Sequence, residues 1–174
     1  MDNPKDNQEE IKQLSGYKKI LVAIDYQSST IEVFERAIEL AKFYGSSLMI
    51  CHCVKGDIPG MPDIIAPASM GLYGGSYWQK MVELEEEIVE ETTEELQLWL
   101  RSLCHQATKG GIPTESNYLK GKPGLQICNL AKTWQADLIV LGRRGRKGLS
   151  KLLLGSVSNY VVHNAHCSVL IVQH

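Results

Sequence analysis

The chain has 174 residues, 44% of them hydrophobic and 22% charged, and carries a formal net charge of −2. That is the composition of one ordinary globular domain with enough apolar mass to bury a core. A charge so near zero excludes a general attraction to nucleic acid or to an anionic membrane surface. No stretch approaches the roughly 20 consecutive apolar residues of a membrane-spanning helix.

Residues 1–16 are polar, charged and aperiodic, which predicts a flexible tail ahead of a single domain over residues 17–174. They lack the basic start and apolar core of an export signal, so the expected location is cytoplasmic. Residues 19–24 (KILVAI) form a continuous apolar run, as in a parallel strand covered on both faces. Asp25 ends it, and Ser28, Ser29 and Thr30 are available to cap a helix in which Ile31, Phe34, Ile38 and Ala41 recur at helical spacing. Gly45 closes that helix. Residues 47–54 (SLMICHCV) read as a second buried strand.

Residues 55–76 are rich in Gly and Pro and read as a long surface loop, of a kind that serves as insertion, cover or contact surface. Residues 77–109 read as one long helix with Met81, Leu84, Ile88, Leu96, Trp99 and Leu103 inward and a solvated acidic face. A more polar strand over 112–119 suits a sheet edge, where Pro113 is tolerated. Pro123 opens a helix whose apolar side is Leu125, Ile127, Cys128, Leu130 and Ala131. Residues 136–141 form another buried strand, a helix starts near Ser156, and 167–172 (CSVLIV) form a last strand.

Five alternations of strand and helix predict an α/β fold, an open five-stranded parallel sheet with helices on both faces. Strand order 3-2-1-4-5 places the two most apolar strands side by side at the centre; order 2-1-3-4-5 is the other common arrangement. The five cysteines, Cys51, Cys53, Cys104, Cys128 and Cys167, lie in apolar or periodic stretches and read as buried free thiols. In Cys51-His52-Cys53 a strand turns the two thiols to one face and the imidazole to the other, so the three cannot share one ion.

The stretch that carries chemistry is 141–158 (LGRRGRKGLSKLLLGSVS). Gly142, Gly145 and Gly155, followed by Ser156 at a helix start, frame a loop bearing Arg143, Arg144, Arg146, Lys147 and Lys151. Glycines let backbone N–H groups approach an anion closely, and a helix start adds unpaired donors and positive dipole. Together they make a phosphate seat. The spacing G-x2-G-x9-G-[ST] is neither a P-loop nor a dinucleotide fingerprint.

It resembles the signature of the ATP-binding branch of the universal stress protein family. Residues 18–25 (KKILVAID) are similar to that family's opening strand, and the C-terminal HNAHCSVLIV to its closing one. The resemblance implies a Rossmann-like sheet of order 3-2-1-4-5. It implies ATP, with Mg²⁺, held by Ala23, Ile24, Cys53 and Leu141 around the base and Asp25 at the ribose or the metal's water. Gly142, Arg144, Gly145, Gly155, Ser156, Val157 and Ser158 then hold the phosphates. Arg143 departs from the small residue common at its position. The alternative for Asp25 is a cap of the following helix.

The expected role is a nucleotide-dependent stress-response regulator that forms a homodimer through 167–172. The alternatives are a partner-binding dimer without nucleotide and a cyclic adenine nucleotide sensor. No nucleophilic triad or paired carboxylates can be assigned by spacing, and at most slow ATP hydrolysis is expected.

Overall fold

The computed structural model describes residues 16–25, 30–54, 94–143 and 154–173. The strands are β1 (Lys19–Ala23), β2 (Ser47–Val54), β3 (Thr114–Lys120), β4 (Leu138–Gly142) and β5 (Ser168–Val172). The helices are α1 (Thr30–Tyr44), α2 (94–109 as described), α3 (Pro123–Trp134) and α4 (Ser156–Asn164). All five strands are parallel, in the order β3-β2-β1-β4-β5. The predicted sheet and its order are therefore found.

Alternation along each strand sorts the side chains into two cores, one per face. On one face Ile20, Val22, Ile24, Leu48, Ile50, Leu138 and Val140 pack against Val33, Phe34, Ala37 and Ala41 of α1 and Leu100 and Ala107 of α2. On the other, Leu21, Met49, Cys51, Ile139 and Leu141 pack against Ile127, Cys128 and Ala131 of α3 and Val161 of α4. Burial on both faces explains why β1 and β4 read as unbroken apolar runs. Among the described strands β3 has only β2 beside it, and its residues are half-buried or exposed, none buried, as suits a polar edge strand.

Several sequence expectations shift by a residue or a face. β3 starts at Thr114, after Pro113, which has no N–H for the ladder and gives it only a carbonyl, to the Leu48 N–H (2.8 Å), while Ile112 is buried ahead of the strand with its N–H on the Ala107 carbonyl (3.2 Å). On α1, Ile31 is 63% exposed and Val33 is 3% exposed, so the inward stripe is Val33, Phe34, Ala37 and Ala41. On α3, Leu125 is exposed and Gly124 is buried instead. Only Cys51 and Cys128 are buried thiols; Cys53 and Cys167 are half-buried near the ends of β2 and β5, and Cys104 is half-buried on α2 against the edge of the core. Residues 77–93 of the predicted long helix and the 55–76 loop lie outside the described residues.

The amino-terminal end of the sheet is closed by Asp137. Its carboxylate accepts the N–H groups of Lys18 (2.9 Å) and Lys19 (3.1 Å), and the Lys19 ammonium donates to the Trp134 carbonyl (3.0 Å) over the Trp134 ring.

Candidate functional site

β1 and β4 are neighbours in register, Ala23 opposite Leu141, but the chain leaves them towards different elements. From β1 it goes on to α1, which joins β2 on one side; after β4 it reaches α4 and β5 on the other. A crevice opens at such a switch point, outside the carboxyl ends of the two strands. Ala23, Ile24, Asp25, Leu141 and Gly142 stand on its two rims. Cys53 stands one strand further out, near the carboxyl end of β2.

The backbone at this rim is tied down. Ile24 N–H donates to the Cys51 carbonyl (2.9 Å), and Arg143 N–H donates to the Val172 carbonyl (2.9 Å). Gly121, at φ +123°, ends β3 with its N–H on the Val54 carbonyl (3.0 Å), in a conformation that disfavours any residue with a Cβ. The Cys53 thiol lies against the Gly121 carbonyl (3.7 Å). Burial first, and the charge of Asp25 second, push this thiol above its ordinary range.

α4 supplies the donor side. Its N-cap is Gly155, which makes no side-chain cap. The first-turn N–H groups of Ser156, Val157 and Ser158 thus begin a helix without side-chain capping, where partial positive charge collects. Ser156 is exposed and Val157 half-buried, whereas Ser158 is 2% exposed with its hydroxyl donating to the Gly155 carbonyl (3.0 Å). The Ser158 side chain therefore serves its own helix start, leaving its amide as the group for a ligand. Arg144 and Gly145 lie outside the described residues, as do Arg146, Lys147 and Lys151.

One contact was not foreseen from the sequence. His52 is 6% exposed on the face opposite the two thiols, and its Nδ1 is 2.8 Å from the Ile24 carbonyl. Alternation predicted the face, but no spacing rule points to the carbonyl. The exposed lysines Lys120 and Lys122 also flank Gly121 at this end of the sheet. Among the described residues no group of three or more His, Cys, Asp or Glu is placed to hold a metal ion.

The chain matches the universal stress protein family over residues 16–173. It belongs to the universal stress protein family. Universal stress protein Sll1388 of Synechocystis sp. strain PCC 6803 is 41% identical over 162 residues, covering 91% of this chain and 99% of that protein. Among solved structures of the family, a universal stress protein in complex with cAMP superposes with a TM-score of 0.62 at 22% identity, covering 91% of this chain and 98% of the other. The universal stress protein of Archaeoglobus fulgidus in complex with dAMP gives 0.54 at 23% identity, over 89% and 97%. At these identities the structural likeness establishes the universal stress protein fold. No described helix is long and apolar enough to cross a membrane.

Proposed function

We propose that this universal stress protein binds an adenine nucleotide, ATP with Mg²⁺, in the crevice between β1 and β4, and that occupancy switches its regulatory state. The observation that carries the reading is one arrangement: a helix start without side-chain capping at Gly155-Ser156 follows the β4 strand whose end faces Ala23-Ile24-Asp25. A polyanion fits the helix start through backbone N–H groups and dipole. Asp25, an acceptor at a strand end, suits ribose hydroxyls or a water of the metal. Ala23, Ile24, Cys53 and Leu141 supply the small, mostly apolar wall that a purine face needs. Gly142, Arg144, Gly145, Ser156, Val157 and Ser158 complete the phosphate side. The relatives solved with cAMP and dAMP support an adenine ligand.

A cyclic adenine nucleotide uses the same base wall and a smaller part of the phosphate seat, so it is the second reading. We further propose that the protein is a cytoplasmic single-domain homodimer paired through β5, whose outer backbone edge has no strand beside it among the described residues.

Purified without added nucleotide and denatured, the protein is expected to release an adenine nucleotide identifiable by mass spectrometry. The stripped protein is expected to take up Mg-ATP in calorimetric titration, and the Gly142→Ala/Gly155→Val variant to lose that uptake. A folded wild-type protein that releases nothing and gives no binding heat at two temperatures overturns the reading.

A further inference from the structure

We infer that His52 is a positioning residue of this site, fixing the Ile24–Asp25 peptide so that the Asp25 amide faces the crevice; the inference rests on the nucleotide reading above. The β1–β2 ladder ends at the pair Ala23 and Cys51. One residue on, Ile24 N–H still donates to the Cys51 carbonyl at 2.9 Å. Its carbonyl is met by a side chain instead, His52 Nδ1 at 2.8 Å. A carbonyl only accepts, so Nδ1 carries the proton and the tautomer is set.

The ring cannot drift from this position. Trp99 of α2 meets it edge-on, with centroids 5.8 Å apart, and Tyr118 of β3 stacks near it at 6.5 Å and 30°. Burial in this apolar surround makes the bond costly to lose, because the carbonyl would be left without its partner away from water.

The consequence lies one atom along the chain. The peptide between Ile24 and Asp25 is planar and trans, so its N–H points opposite to its carbonyl. With the Ile24 carbonyl held towards β2, the Asp25 N–H is aimed towards β4, across the switch point. The Asp25 backbone, from which its carboxylate hangs, is thereby set where the ligand's ribose side lies in the proposed reading.

The test compares wild type, His52→Phe and His52→Asn. Phe keeps an aromatic ring without a donor, and the Asn amide nitrogen sits about where Nδ1 does. Two readouts are taken: ATP affinity by calorimetry, and the Asp25 amide signal in the ¹H–¹⁵N spectrum of the nucleotide-free protein. His52→Phe is expected to weaken ATP binding about tenfold, the scale of one buried hydrogen bond, and to move the Asp25 signal. His52→Asn is expected to stay within about threefold of wild type and to leave that signal near its place. Should His52→Phe fail to fold, His52→Gln replaces it, since its longer side chain sets the amide about where Nε2 stands.

Undiminished ATP binding by a folded His52→Phe overturns the inference, as does an unmoved Asp25 signal. Failure of the wild type to bind ATP overturns the nucleotide reading instead. The orientation of the Asp25 amide is then decided by the spectra of the free proteins alone.

Discussion

Tyr160 of α4 lays its ring and Cβ on the backbone of Gly124 in α3, so closely that a Cβ on Gly124 would stand 2.8 Å from Tyr160 Cβ and 2.7 Å from its Cδ1. The two helices of one face are thus locked at the point where α4 leaves the candidate phosphate seat. Gly124→Ala gains up to about 1 kcal/mol of helix propensity. It also overpacks a contact whose nearest atoms include a Cβ, which moves only with the α4 backbone, at a cost of about 1–3 kcal/mol. The expected outcome is a net loss on the order of 1 kcal/mol in urea unfolding, with weakened ATP binding. Tyr160→Ala added to it should restore only part, because the Tyr160 Cβ position stays filled.

Asp137 offers the contrasting case, at the other end of the same strands. Its carboxylate takes two backbone N–H groups, from Lys18 and Lys19. Asp137→Asn keeps one acceptor oxygen and turns an NH₂ towards a donor, so a stability loss of about 1–2 kcal/mol is expected. Nucleotide affinity measured well below the melting temperature should be unchanged, since the substitution lies a strand's length from the crevice.

The pH dependence of stability is expected to show Cys51. Burial, and secondarily Cys53, push this thiol far above its ordinary range. A thiol whose folded pKa is raised contributes stability that is fully present below its unfolded pKa, about 8.5, and is lost as pH rises. Denaturant unfolding of the wild type should therefore lose up to about 1.4 kcal/mol per pH unit from this one group above that point. Cys51→Ala should show a slope shallower by that amount. Equal slopes in the two proteins would remove Cys51 as the cause.

The β5 edge can be probed without disturbing its inner ladder. Arg143 N–H donates to the Val172 carbonyl, so the backbone groups of Val172, Leu170 and Ser168 face β4. Those of Val169 and Ile171 face outward by alternation. Ile171→Pro removes an outward N–H and spares every bond to β4. Sedimentation equilibrium is expected to show a dimer for the wild type and a weaker one, by about tenfold or more, for Ile171→Pro. A dimer of unchanged strength would place the contact on another surface.

Much of this protein is written in local pattern. The unbroken apolar runs of β1 and β4 announce strands buried on both faces, and the polar β3 announces an edge; the hydrophobic effect acts on each segment before any neighbour is known. Gly45, at φ +68°, ends α1 where its sequence position says it should. The family signature likewise survives as a string of glycines, because close backbone approach has a residue requirement of its own.

What local pattern left undecided is what depends on a neighbour. That Val33 rather than Ile31 turns inward on α1, and that Gly124 rather than Leu125 does so on α3, follows from which surface each helix meets. The apolar content of either helix permits both registers. The fold alone set the carboxyl ends of β1 and β4 side by side, Ala23 opposite Leu141, since they come from strands more than a hundred residues apart. It also alone joined the His52 imidazole to the Ile24 carbonyl, a bond between residues 28 apart that no periodicity encodes. Sequence determined most of the segments that form strands and helices, and that a glycine-bearing basic stretch, the candidate phosphate seat, follows β4. Tertiary structure decided which side chains hold that seat's rim, because a hydrogen bond across strands depends on pairing register, and register exists only once the sheet has formed.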